Sequence, residues 1–96
     1  MNQTMPIPAH DIDNAFTACV YERDERKAPD EHRRSKFLVG WEDATQRRKD
    51  YEAAALQRLT WKNLGYRLGH RFGALEQAQI DAVFAYLAAG WQPSTV

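Results

Sequence analysis

Apolar residues return at helical spacing in several separate stretches of this chain, and charged or polar residues fill the positions between them. Ile12, Ala15, Phe16, Cys19 and Val20 follow an i, i+3, i+4, i+7, i+8 series, with Asp11 and Asp13 where acids favour a helix dipole. This predicts a first helix from about Ala9, running into the mixed-charge stretch Glu22 to Lys27 as a solvated helix end. Pro29 and dense alternating charge make residues 28–36 the expected interior loop. Phe37, Trp41 and Ala44 then share one helical face, and Arg47-Arg48-Lys49 closes a second helix, although Phe37-Leu38-Val39 is also compatible with a short strand. Asp50 is placed to cap a third helix with Tyr51, Ala54, Ala55, Leu56 and Leu59 inward. Thr60 restarts the chain as the N-cap of a fourth, whose face carries Trp61, Leu64 and Leu68. A last helix, from about Leu75 to Ala89, presents Ile80, Val83, Phe84, Leu87 and Ala88, and Gly90 and Pro93 end it, with Trp91 continuing its stripe.

The expected architecture is all-α: a compact single-domain bundle of four or five helices with a core containing Trp61 and Phe84. Residues 1–8, with Pro6 and Pro8, read as a flexible arm, 9–92 as the helical domain and 93–96 as a tail. The fourth helix carries Gly65 in its interior. Gly65 costs roughly 1 kcal/mol relative to alanine, which predicts close approach of another element there. Gly69 and Gly73 read as helix stops with positive φ.

Composition narrows the function classes. The 96 residues suffice for one domain, and 13 basic against 13 acidic side chains leave zero formal net charge, so any attraction to nucleic acid or an anionic surface has to be local. Cys19 is the single cysteine and sits on an apolar stripe, which predicts a structural thiol and a reducing, cytoplasmic setting. No apolar run approaches membrane-spanning length, so no membrane partner is expected. His10, His32 and His70 are scattered, and no ligand spacing, nucleophile arrangement or glycine-rich phosphate loop is visible. The expectation is therefore a non-enzymatic protein without metal or cofactor.

One region does stand out. No acid occurs between Glu52 and Glu76, and within that span lie Arg58, Lys62, Arg67, His70 and Arg71, with Asn63 and Tyr66 among them. These seven residues are the candidate surface for nucleic acid or a partner protein. The helix after Gly73 offers Glu76, Gln77, Gln79 and Asp81 and no cation, so a helix-turn-helix with that helix in the major groove is disfavoured.

The phrase Leu59-Thr60-Trp61-Lys62-Asn63-Leu64-Gly65-Tyr66-Arg67-Leu68-Gly69, with Phe72-Gly73 after it, resembles a helical module of bacterial proteins related to HNH-type restriction endonucleases. Gly40-Trp41 before it and Ile80 to Tyr86 after it are compatible, so the resemblance covers about half of the chain. It lacks a His-Asn-His metal site, and nuclease activity does not carry over. What the resemblance implies is an accessory helical module of bacterial or mobile-element origin, linked to DNA-related defence. In it Trp61, Leu64 and Leu68 match core positions and Asn63, Tyr66 and Arg67 match non-structural ones. The partner is then nucleic acid or a nucleic-acid-processing protein; the other class is a protein-interaction domain, either a homodimer or a small inhibitor of a larger enzyme.

Overall fold

The computed structural model describes residues 5–93. Five helices, α1 (Ala9–Ala18), α2 (Glu31–Thr45), α3 (Ala53–Leu56), α4 (Trp61–Phe72) and α5 (Gln77–Ala89), surround one core, and two short strands, β1 (Arg23–Asp24) and β2 (Arg58–Leu59), pair in parallel. The fold is a small helical bundle.

Two helix starts follow directly from capping chemistry. Asp30 accepts from the Arg33 backbone N–H at 2.8 Å, and the Thr60 hydroxyl accepts from that of Asn63 at 3.1 Å. The Asp30 cap begins α2 well before Phe37, so most of the stretch expected as a loop is helix. Arg33 and Arg34 support that first turn through ion pairs with Asp30 and Glu31. At its far end α2 stops before the basic triplet. Arg47 adopts φ 53°, and the Arg48 N–H reaches back to the Asp43 carbonyl at 3.2 Å, a Schellman-type ending made without glycine.

Other expectations are corrected. α1 ends at Ala18, and Glu22 to Lys27 is not its extension: the Glu22 N–H donates to the Gln57 carbonyl at 2.6 Å and the Glu25 N–H to that of Leu59 at 2.9 Å. Backbone pairing with β2 outweighs side-chain charge pairs, each worth only a few tenths of a kcal/mol on a helix. Val20, assigned to the inward stripe, is 79% exposed, and Cys19 is half-buried, its thiol donating to the Ala15 carbonyl. The third helix is a single turn preceded by Glu52 rather than Asp50, and none of its residues is buried. Leu59 is buried, but from β2. Ile7, assigned to the arm, belongs to the core; residues 1–4 and 94–96 of the expected arm and tail lie outside the described residues.

The core gathers Ile12, Phe37, Trp41, Trp61, Leu64, Leu68, Ile80, Val83, Phe84 and Leu87. Phe84 meets Trp61 with ring centroids 4.9 Å apart and Phe37 at 5.5 Å, tilted as aromatic quadrupoles prefer. Both buried indole N–H groups are satisfied by distant backbone: Trp41 donates to Gly73 at 2.9 Å and Trp61 to Lys27 at 2.7 Å.

The tightest packing is between α2 and α4. A Cβ at Gly40 would fall onto the Lys62 carbonyl, one at Gly65 onto the Phe37 carbonyl, and one at Gly69 would lie 2.8 Å from the Trp41 oxygen. Gly69 is therefore a helix-contact glycine and not a stop. Gly73, at φ 83°, ends the helix as expected. Because Phe37 faces Gly65 while Trp41 and Ala44 face Gly69, the contact advances along both helices in the same direction, and their N-terminal ends lie side by side.

Gly65→Ala is expected to lower the thermal midpoint by the equivalent of about 1–3 kcal/mol, because backbone at the contact has to separate. At an open helical position the same change gains about 1 kcal/mol. A raised midpoint in thermal denaturation would show that the helices are not held at this distance.

Candidate nucleic-acid interface

The seven residues read from the sequence do not form one solvent-facing surface. Tyr66 is buried, its ring stacked on Tyr51 at 4.0 Å and edge-on to His70 at 4.7 Å. Asn63 donates to the carbonyls of Ala55 at 3.0 Å and Arg58 at 2.7 Å, holding the α3–β2 turn against α4. Arg67 donates to the Leu56 carbonyl at 3.2 Å and stands 5.1 Å from the Tyr21 ring centroid. Burial pushes the Tyr21 phenol well above its ordinary range, and that tyrosine stays neutral beside the guanidinium. Arg58 forms two hydrogen bonds to Glu25, at 2.6 and 2.8 Å. The stretch free of acids in sequence is thus supplied with one by Glu25, the residue after β1. His70 and Arg71 are exposed in the last turn of α4, where cations favour the dipole, and Lys62 stands at the opposite end of the helix.

A tyrosine–carboxylate cluster braces the loop after α2. Asp43 is buried, accepts from the Tyr51 hydroxyl at 2.6 Å and from Arg48 at 3.2 Å. Burial, and then the bond to Asp43, raise the Tyr51 phenol above its ordinary range. Lys62 Nζ lies 5.5 Å from the Tyr51 ring centroid.

What the structure brings together around Lys62 is a different set. A cleft of about 270 Å³ opens where the first turns of α2 and α4 meet, lined by Glu25, Arg26, Lys27, His32, Arg33, Lys36, Thr60, Trp61 and Lys62. Arg26 is tied to Asp24 at 3.0 Å and Arg33 to Asp30 at 3.3 Å. The one carboxylate in the lining, Glu25, is held by Arg58 and by Arg23. Among the described residues Lys27, Lys36 and Lys62 take part in no ion pair. The lining therefore carries uncompensated positive charge beside His32. Sequence reasoning placed Lys62 here and missed Lys27, His32 and Lys36, which lie in the stretches it read as a helix end and a loop. The available signal was Pro29-Asp30 followed by Arg33, a helix start that turns the charges after it into one turn of α2.

Among the described residues no group of three or more His, Cys, Asp or Glu side chains is arranged to hold a metal ion, and no helix is long and apolar enough to cross a membrane.

The hydrogen bond from Arg58 brings the Glu25 carboxyl down to about 2 from its ordinary 4.5. A depressed folded-state value stabilises the fold above the unfolded one and loses that contribution as acid protonates the folded carboxylate. Glu25→Gln is expected to be less stable than the native chain at neutral pH, with the difference closing between pH 4.5 and about 2. Urea denaturation across that window checks it; a constant difference would remove the ion pair from the account of β1.

Comparison with known proteins finds no matching family model, no similar curated protein and no similar solved structure.

Proposed function

We propose that this chain is a non-enzymatic helical module that binds nucleic acid through its phosphates, at the cleft between the first turns of α2 and α4. The observation that carries this reading is the convergence of Lys27, Lys36 and Lys62, which have no carboxylate partner among the described residues, beside His32 in one concavity of a chain with no net charge. Like charges are not gathered in this way by folding energetics, since mutual repulsion opposes it, and phosphate oxygens are the natural complement of lysine ammonium groups. The resemblance of Leu59 to Gly73 to a module of bacterial HNH-related proteins supports the same class of partner and a setting in DNA-related defence. Lys62 belongs to both arguments. His70 and Arg71, exposed at the other end of α4, are secondary contacts in this reading.

Asn63, Tyr66, Arg67 and Arg58 are assigned supporting roles, because each has its polar or aromatic surface committed within the fold. Affinity then rests on lysine point charges, with little reading of base edges.

Labelled duplex and single-stranded oligonucleotides titrated by fluorescence anisotropy test the proposal. Binding at low salt should weaken linearly in a log–log plot, with a slope on duplex of roughly −0.9 for each phosphate that the lysines neutralise. Lys36→Glu combined with Lys62→Glu should remove binding while leaving the thermal midpoint within about 1 kcal/mol of native, as expected for surface positions. Absence of binding at low salt, or binding that survives the double substitution, would contradict it and leave a protein partner as the reading.

A further inference from the structure

The positive charge around Lys62 is a spot and not a track. On one side of the cleft Glu25 and Arg58 neutralise each other. On another, Asp30 and Glu31 are paired with Arg33 and Arg34, and Arg34 also reaches Asp81 at 2.8 Å. Beyond Lys62 lies a second concavity of about 350 Å³, where Lys49 is accompanied by Asp50 and Glu52. A strand laid across this face would leave the lysines for ion-paired side chains on two sides and for Asp50 and Glu52 beyond Lys62.

The cleft also lacks a surface on which a base could stack. Trp61 lines it but is only 3% exposed, with Phe84 against its ring and the Arg26 guanidinium 5.2 Å from its centroid. Tyr51, in the neighbouring concavity, is covered by Tyr66 and approached by Lys62. Proteins that hold single strands without sequence preference combine a charged groove that tracks the backbone with open aromatic faces, and the described residues form neither. What remains is a small concavity bordered by the Trp61 indole and by three lysines, with Lys62 also in reach of the neighbouring Tyr51 ring, suited to concentrated negative charge. A mid-strand phosphodiester carries one charge; a terminal phosphomonoester carries between one and a half and two at neutral pH and has an additional free oxygen.

We infer that the cleft receives a terminal phosphomonoester at the end of a nucleic-acid strand, in preference to phosphodiesters along it. Lys27, Lys36 and Lys62 are the charge partners, and His32 stands at the same opening. The inference rests on the nucleic-acid reading above and narrows it to strand ends.

Short oligonucleotides identical in sequence but ending in a 5′-phosphate, a 3′-phosphate or hydroxyls at both ends distinguish the cases, by anisotropy at fixed ionic strength with the full chain. At least one phosphorylated end is expected to bind about tenfold more tightly than the hydroxyl ends, as an added charge of one and a half to two beside several lysines predicts. Lys36→Gln with Lys62→Gln should abolish the preference with unchanged circular dichroism, and inorganic phosphate should compete at millimolar but not micromolar concentration. Equal, salt-dependent affinity for phosphorylated and hydroxyl ends would overturn the terminal-phosphate inference and leave the nucleic-acid reading standing. No binding by any of the three would overturn both. A phosphoserine peptide that binds as tightly as the phosphorylated oligonucleotide would overturn the assignment to nucleic acid.

Discussion

The structure depends on two helix backbones meeting without side chains between them. At Gly40 and Gly65 each helix offers a Cα–H where the other presents a carbonyl, Gly40 toward Lys62 and Gly65 toward Phe37, and Gly69 continues the contact against Trp41. Such Cα–H to carbonyl contacts are individually weak. Their effect is geometric, because most helix pairs are kept 8–10 Å apart by the residues at their crossing, and glycine at reciprocal positions removes that spacer. The helical cost of glycine is offset by what the approach permits: Phe37 and Trp41 on one helix, and Leu64 and Leu68 on the other, enter the same core fully buried.

The same contact sets the position of the cleft. Since α2 and α4 run in the same direction through it, their capped first turns are adjacent, and the charges after Asp30 face those after Thr60. The third wall comes from the loop after β1. The Trp61 indole N–H holds the Lys27 carbonyl, and parallel pairing of Arg23 with Arg58 and Asp24 with Leu59 fixes where that loop leaves the strand. A core residue, a sheet of two two-residue strands and a glycine contact thus converge on one small basic concavity. The charge partners of Arg26, Arg33 and Glu25 keep their neighbours from adding to or cancelling it.

Much of the fold is legible in the amino-acid order where a local rule and burial agree. Thr60 as a cap, the Trp61, Leu64, Leu68 stripe, the α5 stripe, Gly73 as a stop and Gly65 as a point of close approach all come from periodicity and backbone chemistry, and the structure has each of them. The candidate surface was less legible. Spacing along α4 places Asn63 and Arg67 outside the apolar stripe but does not say what else lies there. Carbonyls of α3 and β2, distant by only a few residues yet turned back by a short loop, absorb both. Arg58 has its charge offset by Glu25, 33 positions earlier, a pairing that requires knowing that Glu22 to Glu25 is strand-like and not helical. An acid-free interval in sequence is not one in space.

Native-state hydrogen exchange measures the central claim most directly, amide by amide. If the glycine contact organises the molecule, amides in the middle of α2, from Phe37 to Trp41, and of α4, from Leu64 to Leu68, exchange only through global unfolding and share one highest free energy of opening. Amides of α3 and β1 should open at lower free energy without disturbing them. Exchange of α2 through a partial opening well below the global value, while α4 stays protected with α5, would contradict the account, because the two helices would then not be one cooperative unit.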